Sequence, residues 1–99
     1  MSIEKLERLA AAGIQILPAV SIENYFVLER DGFVALVERR ADGFGRVGTA
    51  GLLTEAGVAP LMWRGGVGYF VAKGFQQQAT DEQVELLRRF GADLKTALE

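Results

Sequence analysis

Short turn-forming pairs cut the middle of this chain into strand-sized pieces: Asp31-Gly32, Asp42-Gly43, Ala56-Gly57 and Gly65-Gly66. Asp-Gly and Gly-Gly reach the positive φ angles that tight hairpins require, so each pair marks a place where the chain reverses. The runs between them are rich in Val, Phe, Tyr, Leu and Trp, and helical patterns flank them at both ends. This order predicts an α+β fold: a two-layer sandwich of a mainly antiparallel, four- to five-stranded meander sheet, with N- and C-terminal helices packed on one face. The 99 residues carry no linker and no strong repeat, so 1–99 reads as a single domain.

Ser2 is placed to cap a first helix running to about Ala12, with Ile3, Leu6, Leu9 and Ala10 at helical spacing and Gly13 as its C-terminal stop. Ile14 to Val20 reads as a short edge strand, because Pro18 has no amide to donate, and Ser21 to Asn24 leads into the sheet. Tyr25–Arg30 and Phe33–Arg39 form a hairpin about Asp31-Gly32. Both of its faces are apolar near the middle, with Phe26 and Leu28 on one and Tyr25 and Val27 on the other, so both need cover. Phe44 to Leu53 reads as a returning strand, with a short helix over 49–56 as the competing reading. Val58–Trp63 and Val67–Lys73 form a second hairpin about Gly65-Gly66, placing Trp63 across from Gly68 and Arg64 across from Val67. An indole lying over a glycine restores burial on a strand that lacks a side chain. Gly74 to Ala79 reads as a polar connector. Thr80-Asp81-Glu82-Gln83 is a capping box opening a final helix, with Val84, Leu87, Gly91, Leu94 and Leu98 on one stripe beside Leu86 and Phe90.

The chemistry-bearing residues are sparse. There is no His and no Cys, which removes the commonest general base, thiolate zinc sites and a cysteine nucleophile. Ser2 and Ser21 have no histidine to activate them, and no spacing forces two carboxylates together. The expectation is therefore no catalytic residues, no metal and no cofactor. Gly43-Phe44-Gly45-Arg46-Val47-Gly48 matches the dinucleotide pattern G-x-G-x-x-G, but no acid follows between residues 56 and 80 to hold a ribose. Any helix after it is also too short for a crossover. With 12 glycines in the chain, hairpin and packing roles explain the match. Arg64-Gly65-Gly66-Val67-Gly68 has the makings of an anion nest, and a Gly-Gly turn accounts for the same residues. Pairing centred on Asp42-Gly43 would set Arg39 opposite Arg46, like charges that need Glu38, Asp42 or an anion between them unless they are solvated at the surface.

A net charge of −2 argues against nucleic acid as a partner. The first residues are charged and amphipathic, and glycines with Arg64 and Lys73 interrupt the apolar runs. The expected location is cytoplasmic, away from any membrane. Mean hydropathy is +0.15, apolar for so small a domain, which points to a second buried surface. The leading expectation is a non-enzymatic interaction or regulatory module, homodimeric through the sheet face that the helices leave open, with Trp63 and Leu36 on that face. The alternative is a small-ligand binder with an apolar pocket between sheet and helices and Arg64, Lys73 or Arg46 holding an anionic group. Trp63, Arg64, Tyr69, Lys73, Tyr25 and Arg46 are the ligand or interface candidates, the aromatics because amphipathic rings concentrate at interfaces.

Overall fold

The Asp31-Gly32 pair reverses the chain as expected, with both residues at positive φ (56° and 86°). Around it pair the strands Tyr25–Arg30 (β2) and Phe33–Arg40 (β3), in register from Arg30 opposite Phe33 to Tyr25 opposite Glu38. The structure, a computed structural model, describes residues 3–18 and 24–99. The expected cap Ser2, the end of the edge strand at Val20 and the lead-in Ser21 to Glu23 lie outside the described residues.

The fold is α+β. A first helix, Ile3–Ala11 (α1), precedes a two-residue edge strand, Gln15–Ile16 (β1), then β2 and β3, and a long strand, Gly43–Thr54 (β4). The competing helix over 49–56 does not form. Gly57–Ala59 (β5) closes a five-stranded antiparallel meander in sequential order. A separate three-stranded sheet follows, of Leu61–Arg64 (β6), Val67–Ala72 (β7) and Phe75–Gln78 (β8), and the chain ends on the helix Asp81–Leu98 (α2).

Four local readings are corrected. Val58 to Trp63 is not one strand: it breaks at Pro60, pairing with β4 before the break and with β7 after it. Proline supplies no amide, and the Pro60 carbonyl instead accepts from the Val71 amide at 3.1 Å. The crossing needs Gly51, because a Cβ there would run into the Ala59 carbonyl and lie 2.9 Å from Pro60 Cα. Second, residues 74–79 are not a connector. Lys73-Gly74 is a turn, and β8 pairs with β7 with Gln76, Gln77 and Gln78 exposed. An edge strand whose side chains stand in water has the composition of a loop.

Third, the reversal near Asp42 is centred on Ala41-Asp42, and Gly43 (φ 131°) is already the first residue of β4. The next reversal is displaced in the same way, with Gly57 (φ 102°) opening β5. Arg39 consequently stands opposite Phe44, not Arg46. Ala35 then pairs with Ala50 and Val37 with Val47, so Gly48-Thr49 face Leu36 alone and Gly45-Arg46 face Glu38 alone. These are two successive bulges, and they account for the dinucleotide-like glycines. A Cβ on Gly48 would sit 3.1 Å from the Leu36 carbonyl oxygen, and one on Gly45 would meet the Glu38–Arg40 ion pair.

Fourth, α1 buries only Leu9 of its expected stripe; Ile3 is 69% exposed and Ala10 is also exposed. The capping box of α2 forms as expected: Thr80 Oγ1 accepts from the Gln83 amide (3.0 Å), and the Gln83 side chain accepts from the Thr80 amide (2.9 Å). The buried residues of α2 are Phe90, Leu94 and Ala97, which leaves Gly91 at the margin of its stripe.

The core lies between the helices and one sheet face. Paired residues share a face, so Leu28 of β2 joins Phe33, Ala35 and Val37 of β3 and Ala59 of β5, all buried with Leu9, Ile14, Phe90 and Leu94. Phe70 of the second sheet enters the same cluster, its ring 5.9 Å from that of Phe33. The helices are fixed to the sheet by Arg30. Its guanidinium donates to the Ala12 carbonyl (3.0 Å) just past α1, pairs with Asp93 of α2 (2.8 Å), and lies 5.6 Å from the centre of the Phe90 ring. Gly51→Ala should destabilise the chain by about 1–3 kcal/mol, because the new methyl meets backbone that has no rotamer to change. Urea unfolding of the two proteins measures this.

Candidate functional site

Three surfaces are candidates. The first is the face of the five-stranded sheet turned away from the helices. It carries Tyr25 and Val27 of β2, Val34 and Leu36 of β3, Leu53 of β4 and Val58 of β5. Val27 and Val34 are buried although neither belongs to the core cluster, Leu36 and Val58 are half-buried, and Leu53 (41%) and Tyr25 (38%) stand exposed. The central strands are therefore apolar on both faces, as the sequence pattern implied.

The second is the β6–β7 hairpin. Its register is the expected one, Trp63 opposite Gly68 and Arg64 opposite Val67, and Gly65 and Gly66 (φ 56° and 80°) form the turn. The Trp63 ring covers Gly68: a Cβ there would lie 3.4 Å from the indole. Trp63 is still 59% exposed. Arg64 and Tyr69 share the opposite face of this hairpin with exposed Met62.

The six candidates of the sequence thus separate. Trp63, Arg64 and Tyr69 lie on one hairpin, with Trp63 on the other face from Arg64 and Tyr69. Lys73 is at the turn between β7 and β8, at the far end of β7. Tyr25 is on the larger sheet opposite Glu38, and Arg46 is an exposed bulge residue facing that same Glu38. Trp63 and Leu36, expected together, are on different sheets.

The third surface is a groove of about 490 Å³ between α2 and β4, lined by Val47, Gly48 and Ala50 below and by Leu87, Arg88, Gly91, Ala92 and Lys95 above. Its origin is a matter of width. α1 lies along the other flank of α2, where Asp93, Thr96 and Ala97 meet Arg8, Ala11 and Ala12 around a smaller hollow of about 310 Å³. β5 pairs only with Leu52 to Thr54, so beneath the groove β4 has β3 on one side and, among the described residues, no strand on the other. This hollow lies between sheet and helix; the cations that line it are Arg88 and Lys95, and Arg64, Lys73 and Arg46 are not among its lining residues.

The two cations differ. Arg88 is committed to Glu85, with Nη2 2.6 Å from Oε1 and Nε donating to Oε2 at 3.0 Å, and Arg89 Nε also donates to Oε1 at 3.0 Å. Lys95 has no ion-pair partner among the described residues. Gly91 is a mid-helix residue with no positive φ, and a Cβ on it would meet nothing within 4 Å among the described residues. Glycine there costs the helix about 1 kcal/mol relative to alanine. Sequence reasoning placed Gly91 on the apolar stripe and passed over this oddity.

Among the described residues no three metal-ligating side chains cluster, and no helix is long and apolar enough to cross a membrane. The chain matches no protein-family model, no curated protein and no solved structure.

Hydrogen bonding from Arg88, reinforced by Arg89, lowers the Glu85 carboxyl from its ordinary value near 4.5 to about 2. A carboxylate lowered in the folded state stabilises it fully above the unfolded value, and that contribution is lost as pH falls through the folded one. An NMR titration of the Glu85 side chain should show its midpoint near 2, with Arg88→Gln returning it toward 4.5.

Proposed function

We propose that this chain is a non-enzymatic interaction module that acts as a homodimer, two copies joined through the sheet faces turned away from the helices. The observation that carries this reading is the row Tyr25, Leu36, Leu53 and Val58, half-buried to exposed on a strand surface that already buries Val27 and Val34. Apolar side chains grouped on one face gain most by meeting a second such face. A two-fold contact requires only that the patch complement itself. Glu29 and Glu38 lie on the same face and supply a polar rim. The absence of histidine and cysteine and the positive mean hydropathy fit a protein that works through a surface.

Light scattering after size exclusion, over a hundredfold range of concentration, should give a dimer mass that falls on dilution. Leu53→Glu should shift the chain toward monomer with its circular dichroism unchanged, because Leu53 is exposed in the single copy. Trp63→Ala, on the other sheet, should leave the dimer intact. A wild-type chain that is monomeric at every concentration would overturn the reading.

A further inference from the structure

Among the described residues, every sheet edge but one is guarded. β1 pairs over two residues, β5 stops after three at Pro60, and the open stretch of β4 is bulged twice. β6 begins beside Pro60 and ends on Arg64. Shortness, proline, bulges and charge are the means by which edge strands refuse further pairing. β8 contains no charge, no proline and no bulge. The chain stays extended beyond it: the Ala79 amide donates to the Gly68 carbonyl at 2.9 Å, and Thr80 has φ −80° and ψ 160°. Residues 75–80 thus offer a flat edge roughly 20 Å long. Alternate residues of an antiparallel strand turn amide and carbonyl to the same neighbour. Ala79 faces β7, so Gln77 and Phe75 do too, and the amides and carbonyls of exposed Gln76 and Gln78 point away from the sheet. Charge supplies a second observation. No acid lies between Ala56 and Thr80, although Met62, Trp63, Arg64 and Gln76 to Gln78 all stand exposed, so burial does not account for the gap. Lys73, exposed at the turn that opens β8, has no ion-pair partner among the described residues. Asp81 and Glu82 follow the other end of the edge.

We infer that β8 takes up an extended segment of another protein as an added antiparallel strand, with an acidic residue at the C-terminal end of that segment beside Lys73. Antiparallel pairing continues the pattern of β6, β7 and β8, and it runs the C-terminal end of the incoming strand toward Lys73. Its N-terminal end then lies toward Asp81 and Glu82, where a basic residue is favoured and an acid is opposed. A peptide brings a donor and an acceptor with each residue, as the edge does at Gln76 and Gln78. A phosphate backbone only accepts, and would leave both outward carbonyls unmatched. A second copy fits less well, because a two-fold contact on β8 in addition to the one on the larger sheet would join dimers into larger assemblies rather than close a pair. The contact on β8 uses neither Leu53 nor the face that carries it, so it goes beyond the dimer and stands apart from it.

The probe is the peptide acetyl-Lys-Thr-Val-Thr-Val-Glu-amide, with acetyl-Glu-Thr-Val-Thr-Val-Lys-amide as the control whose end charges are exchanged. Each is titrated into the full chain and followed by amide NMR and hydrogen exchange. In the free chain the amides of Gln76 and Gln78 should exchange fast and those of Gln77 and Ala79 slowly. The first peptide should shift the amides of residues 73–80 and slow exchange at Gln76 and Gln78, and the control should bind about three- to tenfold more weakly. Lys73→Gln should weaken the first peptide about two- to fivefold, the reach of one exposed ion pair. Gln76→Pro, which removes an outward amide and none of the β7 ladder, should abolish binding and keep the circular dichroism of the wild type. Fast exchange at Gln77, or a Gln76→Pro chain that unfolds or binds as before, overturns the proposal. So does a first peptide that shifts no amides, shifts those of Tyr25 and Leu53 as strongly, or binds no better than the control. Protection of Gln76 and Gln78 that rises with protein concentration alone names a second copy as the occupant and overturns it too. Oligomeric mass is read separately, so a monomer that binds the first peptide removes the dimer and leaves the β8 contact standing.

Discussion

The passage of the Ala59–Pro60 backbone over Gly51 governs where the rest of the chain can go. Up to Ala59 the last strand pairs with β4, and it leaves after three residues because proline offers no amide to continue the ladder. The Pro60 carbonyl then accepts from Val71, which starts the second sheet and brings Phe70 against Phe33 in the main core. The same departure leaves most of β4 without a neighbour on that side. A regular hairpin in place of this break would pair along the edge of β4 beside Val47, Gly48 and Ala50, the edge that is now without a strand among the described residues. The core contact and the open groove are two consequences of one crossing.

Arg30 decides how the helices sit on the sheet that results. It projects from the end of β2 into the helix layer, where its guanidinium reaches the carbonyl just past α1 and a carboxylate on α2 while its plane neighbours Phe90. A cation at a helix C-terminus is favoured by the unpaired carbonyls there, and this one ties both helices to the same strand end. α1 is thereby held against the flank of α2 that carries Asp93, Thr96 and Ala97. The opposite flank, with Leu87, Gly91 and Lys95, is left over a bulged strand made of small residues. Arg30 adds a polar tie to a helix layer that the buried Leu9, Phe90 and Leu94 already pack against the sheet.

What the sequence made legible were features fixed by neighbours along the chain. Asp31-Gly32 and Gly65-Gly66 set their hairpins to the exact register, because a two-residue turn leaves no freedom in pairing. The Thr80–Gln83 box marked the start of α2 for a similar reason. Illegible were features decided by distant parts. Val58 to Trp63 read as one strand, and only the approach of β7 shows that it changes partners at Pro60. Gln76 to Gln78 had the polarity of a loop because both sides of an edge strand stand in water. Arg39 and Arg46 were set opposite each other by a turn placed one residue late, and the bulges that separate them cannot be read from spacing. For the candidate site, Arg64, Lys73 and Arg46 read as anchors for an anionic group, and the fold spreads them over separate places. Lys95 sits among helix charges and stands out only once β4 lies beneath it.

The open surfaces of this protein are of two physical kinds, and that difference bears on what each can hold. The outward sheet face is made of side chains that are present: Tyr25, Leu36, Leu53 and Val58 stand partly out of the surface, and a broad partner is required to cover them together. The hollow between α2 and β4 is made of side chains that are missing or short, Gly48, Ala50, Gly91 and Ala92, and it stands largely open to solvent. A broad apolar patch gains by area when a second surface covers it, and an open hollow lined by small side chains offers little area to gain. Alanine at Gly91 would strengthen the helix and displace nothing among the described residues, the kind of gain that a marginally stable protein leaves untaken, so this opening needs no purpose of its own. The exposed apolar side chains of the sheet face, by contrast, carry a standing cost in water that a partner would relieve.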